Sequence, residues 1–201
     1  MARRVTLHAQ AFIAGLLEQV EGIDRLTTRY NAISPETYDV AIALTELPHI
    51  FRTHLHTIPA SVPYIAIAPR SLSPTTNLRV GLVWQGSDWD RRRSVPLQMF
   101  AGFDRIGGIS LHILQRGRPL LQRPPDFGID SGSDDLYQAA RRIAALDLII
   151  TIDSMPAHWA CRPVCCCISI AIGDGCETEP IHRGTQPCVC FVRNIQVRGD
   201  R

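Results

Sequence analysis

Lysine is absent from this chain of 201 residues, so all 21 of its basic residues are arginine. That bias suggests a GC-rich coding sequence. Cysteine is absent from the first 160 residues, and all seven, Cys161, Cys165, Cys166, Cys167, Cys176, Cys188 and Cys190, come after them. A single evolved domain rarely divides its cysteines in this way. Long apolar runs are lacking too. Residues 144–152 are interrupted by Asp147 and fall short of the ~20 residues a membrane helix needs, so no integral membrane segment is expected. The opening Met-Ala-Arg-Arg-Val-Thr-Leu-His has no apolar signal-peptide core, which points to a cytoplasmic protein. Net charge is only +2 and the arginines are scattered, without the basic stripe that neutralises a nucleic-acid backbone. No nucleic-acid partner is expected. What remains is ordinary globular composition, 45% hydrophobic and 20% charged, with no internal repeat or low-complexity tract before residue 160.

Residues 4–7 have the alternating, β-branched character of a strand. Phe12, Leu16, Leu17 and Val20 follow at helical spacing across residues 11–20, and Gly22 ends that helix. Residues 39–44 and 64–67 are short apolar runs bounded by Pro and Thr, as buried parallel strands would be. Segment 68–77, Ala-Pro-Arg-Ser-Leu-Ser-Pro-Thr-Thr-Asn, has linker chemistry and divides a first domain, residues 1–70, from a second, residues 71–158. There the alternation restarts, with a strand at 78–84, a helix at 97–103 and a strand at 110–114. Leu136, Ala139, Ala140, Ile143 and Leu146 mark a helix with Asp134 and Asp135 in its first turn and Arg141 and Arg142 later, as the macrodipole prefers. A strand at 147–152 follows. The expected fold class is α/β, with doubly wound parallel sheets and ligands outside the carboxyl ends of the strands.

Two strand ends hold the candidates for chemistry. Leu-Val-Trp-Gln-Gly-Ser, residues 82–87, leaves its strand through Gly86 and Ser87, and the charged run that follows ends in Arg91, Arg92 and Arg93. Backbone N–H groups and guanidinium forks in such a loop suit a diphosphate, although three loop arginines more often simply face solvent. The second candidate is Ile-Asp-Ser-Met-Pro-Ala-His, residues 152–158. Ser154 can cap a helix starting near Pro156, and His158 falls one turn further on. The plainer alternative is that Asp153 and Ser154 only cap a helix and His158 is an ordinary surface or core histidine.

Three stretches in order, Leu-Arg-Val-Gly-Leu-Val-Trp-Gln-Gly-Ser, Asp-Arg-Arg-Arg-Ser-Val-Pro-Leu and Leu-Asp-Leu-Ile-Ile-Thr-Ile-Asp-Ser-Met-Pro-Ala-His, resemble the C-terminal half of bacterial heptosyltransferase-like glycosyltransferases. Many of those enzymes follow tetratricopeptide repeats in one chain. Thr-Ile-Pro-Ala-Ser-Val-Pro-Tyr, residues 57–64, similarly looks like the end of the family's N-terminal Rossmann-like domain, so the resemblance spans residues 3–158. It implies the GT-B fold, with acceptor-side and donor-binding Rossmann-like domains. It also implies a nucleotide-diphosphate sugar as partner, and sugar transfer to a glycan, lipid or protein hydroxyl. By motif position, Asp153, Ser154 and His158 would contact the donor, Arg93 would neutralise phosphate or leaving-group charge, and Gly86 and Ser87 would line the loop beside them. No cofactor or metal is implied.

Departures from the family shape the rest of the expectation. The glycine-rich Gly-Asp segment that carries the family's usual general base should precede residues 4–7, so no catalytic base can be named. After His158 the family continues Leu-Ala-Gly and later Asp-Trp-Arg-Trp, whereas this chain reads Trp-Ala-Cys-Arg-Pro-Val-Cys-Cys-Cys. Reading the third base of each codon with the first two of the next, from Ala171 to Arg193, the genetic code permits DWRWMRDRADSPWYPTMRLFRQ, the letters the family shows there. The same shift turns Cys codons into Leu codons. The expectation is an inactive fragment, out of frame and poorly packed over 159–201. A non-catalytic nucleotide- or partner-binding module is the first alternative. A zinc site using Cys161, Cys165, Cys166, Cys167 or His182 is the second, though three adjacent cysteines lack the paired spacing of structural zinc. Sequencing the coding DNA with its flanks should find an out-of-frame event close to the His158 codon. Codons unable to spell the tryptophan-rich segment would end this explanation.

Overall fold

The computed structural model describes residues 3–29, 33–58, 65–86 and 93–159, and the backbone of 164–168. Its contacts fall into two units that divide between Ile65 and Ala66. In the first, β1 (Thr6–His8) and β2 (Arg25–Thr27) pair in parallel with Leu7 opposite Leu26. The Asp24 carboxylate accepts the Val5 N–H at 2.6 Å and fixes the start of this pairing. Between the strands a 3-10 turn, Ala11–Ile13, runs into α1 (Ala14–Leu17), which buries Leu16. The helix expected across residues 11–20 is therefore a single α turn, and Phe12 is left 62% exposed.

The strand expected at 39–44 does not form. Residues 39–43 are irregular, and Leu44–Glu46 is a 3-10 turn leading into α2 (Leu47–Ile50). Pro48 sits in the first turn of α2, where its missing N–H costs nothing. Val40 and Leu44 stay over 70% exposed. Apolarity made these residues fit for burial, but a strand also needs a neighbour to satisfy its backbone, and none is supplied among the described residues. Residues 65–67 are likewise irregular, and residue 64 lies outside the described residues. The Rossmann-like sheet expected for residues 1–70 is thus, among the described residues, a two-stranded parallel pair.

The second unit is built on a five-stranded parallel sheet of β3 (Leu78–Val83), β4 (Ile109–Ile113), β5 (Ile129–Asp130), β6 (Leu148–Ile152) and β7 (Val164–Ile168). Its spatial order is β5-β4-β3-β6-β7. An uninterrupted apolar strand needs cover on both faces, and β3 has it, with every residue from Val80 to Trp84 buried. Leu82, Ile113, Ile149 and Ile152 are fully enclosed. The α/β class and parallel sheet expected from the sequence are therefore present, in an order consistent with a Rossmann-like fold.

The helices differ from expectation where glycine intervenes. In place of a helix at 97–103 stand two 3-10 turns, Leu97–Phe100 and Phe103–Arg105, separated by Gly102 at φ +87°. Phe100 and Phe103 meet edge to face at 5.4 Å between ring centres, which closes the break over the core. α3 (Leu136–Ile143) matches the expected apolar stripe and is capped by Asp135, whose carboxylate accepts the Gln138 N–H at 3.0 Å. Asp134 lies outside this helix. α4 (Met155–Trp159) follows β6.

Segment 68–77 is not a free linker. Arg141 Nε donates to the Ala68 carbonyl at 3.2 Å, the Arg70 N–H donates to the Arg141 carbonyl at 2.9 Å, and Arg79 Nη2 donates to the Ser73 carbonyl at 2.8 Å. These bonds strap the segment to α3 and β3, so the division falls ahead of residue 70. Within 159–201, expected to pack poorly, the described backbone includes one paired stretch. Val164–Ile168 pairs in parallel with β6, from Leu148 opposite Val164 to Ile152 opposite Ile168. Main-chain pairing at an open sheet edge is indifferent to side-chain identity. The rest of the tail, with Cys161, Cys176, Cys188 and Cys190, lies outside the described residues. Among the described residues, no helix is long and apolar enough to cross a membrane.

Gly81 at the centre of β3 is held by crowding. A Cβ there would lie 2.7–2.8 Å from the side chains of Leu114, Ile149 and Leu146. Gly81→Val should destabilise the protein by at least about 1–3 kcal/mol through overpacking. Gly107→Ala, which would meet no atom within 4 Å, should stay within about 0.5 kcal/mol of the parent. Urea unfolding compares the two, and equal losses would show that crowding at Gly81 is not the constraint.

Candidate functional site

Adjacent parallel strands deliver their following loops to the same edge of the sheet. β3 and β6 are such neighbours, with Val80 opposite Leu148 and Val83 opposite Thr151. The chain leaves β3 toward β4 and β5 on one side, and β6 toward β7 on the other. The order reverses between β3 and β6, and the carboxyl ends at such a switch point open the crevice where α/β sheets bind ligands.

The loop after β3 is built closely against the end of β6. A Cβ on Gly86 would stand 3.3 Å from Ile152 Cδ1, so glycine lets this backbone pass. The Gly86 N–H donates to Ser94 Oγ at 3.4 Å, and the Val95 N–H donates to the Trp84 carbonyl at 2.8 Å. The returning chain thereby sets Arg93 beside β6, where Nη1 donates to the Asp153 main-chain carbonyl at 3.1 Å. Gly86, Arg93, Asp153 and Ser154 are thus brought to one edge. Ser87, Arg91 and Arg92 lie outside the described residues.

Ser154 starts α4 differently from the expected side-chain cap. Its hydroxyl turns back to the strand, donating to the Ile152 carbonyl at 3.3 Å and lying 3.3 Å from Thr151 Oγ1. Its main-chain carbonyl accepts the Ala157 N–H at 2.9 Å. The Asp153 side chain is exposed, and so is His158 within α4. With only Met155–Trp159 in helical form, α4 has a small macrodipole, so the fixed positive charge of this edge is Arg93 rather than a helix end.

Gln115 is the residue that sequence reasoning missed. It is 5% exposed, and Oε1 accepts the N–H groups of Trp84 at 3.1 Å and Gln85 at 2.9 Å. Its Nε2 donates to the carbonyls of Gln85 and Arg116, both at 3.1 Å. One amide therefore stitches together the loops leaving β3 and β4. The only signal in the sequence was a lone amide straight after an apolar run. Trp84 beside it is 1% exposed, and its indole N–H has no acceptor among the described residues.

Charge perturbations lie away from this edge. Arg116 grips Asp134 with two bonds, Nε at 3.1 Å and Nη2 at 2.9 Å. That hydrogen-bonded pairing raises the guanidinium and holds the Asp134 carboxyl below its ordinary range, although so exposed a pair adds little stability. His112 is lowered by burial and then by the charge of Arg79. The cysteine side chains on which the zinc alternative rests lie outside the described residues. No protein-family model matches the chain, and neither a curated protein nor a solved structure is significantly similar to it.

Replacing Gln115 by Leu would strip partners from the Trp84 and Gln85 N–H groups and the Gln85 and Arg116 carbonyls. Each such group left dry costs about 1–3 kcal/mol. Gln115→Leu should therefore lose at least about 2 kcal/mol in denaturant unfolding. Gln115→Glu keeps the acceptor but sets a buried carboxylate against the Gln85 and Arg116 carbonyls, so its loss should be smaller at acid pH, where the protonated carboxyl can donate, than at neutral pH. Equal stabilities would mean that these loops do not depend on the amide.

Proposed function

We propose that the chain is the donor-binding part of a heptosyltransferase-like GT-B glycosyltransferase and that its ligand is a nucleotide-diphosphate sugar. What supports this reading is the meeting of Gly86, Arg93, Asp153 and Ser154 at the β3–β6 switch point, held by the bond from Arg93 to the Asp153 carbonyl. Those residues come from the three separate stretches that resemble the family, the last of them far from the other two in sequence.

Physical chemistry divides the roles. Arg93, anchored through Nη1 on a main-chain carbonyl, is the cation that meets the diphosphate. The Asp153 carboxylate repels phosphate oxygens, so it accepts from hydroxyl or base N–H donors of the nucleotide or sugar. Ser154 and the backbone at Gly86 offer short-range hydrogen bonds, and His158 adds a contact from α4. The cytoplasm, where nucleotide sugars are made and used, is the compartment this reading requires.

Titration calorimetry with a panel of nucleoside diphosphates tests it. Arg93→Ala should weaken binding by about tenfold to a hundredfold, the range of a charge-assisted hydrogen bond. Asp153→Ala and His158→Ala should each weaken it by roughly tenfold, with Arg93 still held because its partner is a main-chain carbonyl. The control is Arg105→Ala, an exposed residue. Arg123 is unsuitable, since Nη1 donates to the Phe127 and Gly128 carbonyls at 3.0 Å and holds a turn. Circular dichroism first establishes that each variant is folded. Unchanged affinity in folded Arg93→Ala and Asp153→Ala variants would refute the assignment.

A further inference from the structure

Away from the β3–β6 edge, the strap at residues 70–73, β4 and α3 enclose a cavity of about 360 Å³ whose wall is rich in cations and hydroxyls. We propose that this cavity is a separate binding site for a tetrahedral oxyanion, either inorganic phosphate or a small phosphomonoester. The proposal does not rest on the glycosyltransferase reading.

The central observation is Arg142. It lines the cavity, and its Nη1 is fixed on the main-chain carbonyls of Ser131, at 3.0 Å, and of Gly132. Its Nε is buried and has no acceptor among the described residues. Its Nη2 makes no hydrogen bond among the described residues and, unlike the enclosed Nε, keeps accessible surface, so Nη2 is the donor that an oxyanion in the cavity would meet, with matching charge. Arg70 supplies a second cation. Its main-chain N–H is anchored on Arg141 at 2.9 Å, while its side chain makes no hydrogen bond among the described residues.

The surroundings favour an anion on balance. Arg79 lines an adjoining cavity of about 300 Å³ that shares Arg70, Leu72 and Leu146 with the first. Against these three arginines stand Asp130 in the wall, 3.7 Å from Arg116, and Asp147 beside the second cavity, which accepts the Arg79 N–H at 2.8 Å. Neutral polar groups complete the wall, with His112 Nδ1 2.7 Å from Ser131 Oγ. Burial and Arg79 both disfavour a proton on His112, and the field that repels that proton attracts an anion. The volume exceeds what phosphate alone fills and leaves room for the body of a small ester.

Calorimetric titration of the full chain with inorganic phosphate and with glycerol phosphate tests the proposal. Saturable binding is expected, weakened about tenfold or more by Arg142→Gln and by Arg70→Gln. It should be unaffected by Arg105→Gln on the exposed surface. Because Arg142 also holds Ser131 and Gly132, its replacement can unfold the site, and Arg70→Gln then decides the matter. Phosphate binding that survives both replacements would overturn the proposal, as would absence of saturable binding. Loss of phosphate binding in Arg93→Gln but not in Arg70→Gln would also overturn it, by moving the anion to the β3–β6 edge. The two readings fail separately, since nucleoside diphosphate affinity depends on Arg93 and phosphate affinity in the cavity on Arg70 and Arg142.

Discussion

The second unit depends on the close approach of β3 to its neighbours at Gly81. Here Leu114, Ile149 and Leu146 occupy the space a side chain would take, so that strand, sheet neighbour and the turn after α3 pack as one layer. Val80, Leu82, Val83 and Trp84 are buried as a result, and β3 can sit at the middle of a parallel sheet with both faces covered. Once β3 is central, β4 and β6 lie on either side of it, and the loops after β3 and β6 emerge together.

That emergence fixes the candidate site. Gln115 ties the first turn of one loop to the end of β4 with four hydrogen bonds, and the Val95 N–H brings the loop back to Trp84. Arg93 is then carried to the Asp153 carbonyl without needing any bond to the Asp153 side chain. The arrangement leaves the carboxylate exposed and the guanidinium anchored, two groups of opposite charge at one edge of the sheet. The proposed donor, with its phosphates and hydroxyls, would use both.

The cavity under α3 arises from the same sheet by a different route. The strap at 68–73 is drawn onto α3 by Arg141 and Arg70, and Arg142 and His112 line the cavity between them, with Arg79 in the adjoining one. Positive charge is tolerated there because Asp130 and Asp147 lie in the walls, and because main-chain carbonyls of Ser131, Gly132 and Ser73 accept from the arginines.

Sequence alone determined the pattern of the second unit. Residues 78–83, 109–113 and 148–152 are apolar enough to have one stable solution, buried strands, and the stripe from Leu136 to Ile143 faces them at helical spacing. Gly86 and segment 152–158 stood out because each follows such a strand, whereas the donor roles of Arg93, Asp153, Ser154 and His158 were implied by the family resemblance. Tertiary structure decided the rest. The run at 39–44 is as apolar as some true strands, yet it finds no strand partner among the described residues and leaves Val40 and Leu44 exposed. Segment 68–77 reads as linker, yet its carbonyls and N–H groups are bound by arginines distant in sequence. Gln115 showed only as a lone amide after an apolar run and Arg142 only as a basic residue late in its helix, since a side chain that binds loops or lines a cavity is defined by what surrounds it in space. Periodicity reports which face of an element is apolar, but only the packed sheet decides which polar groups are enclosed with it.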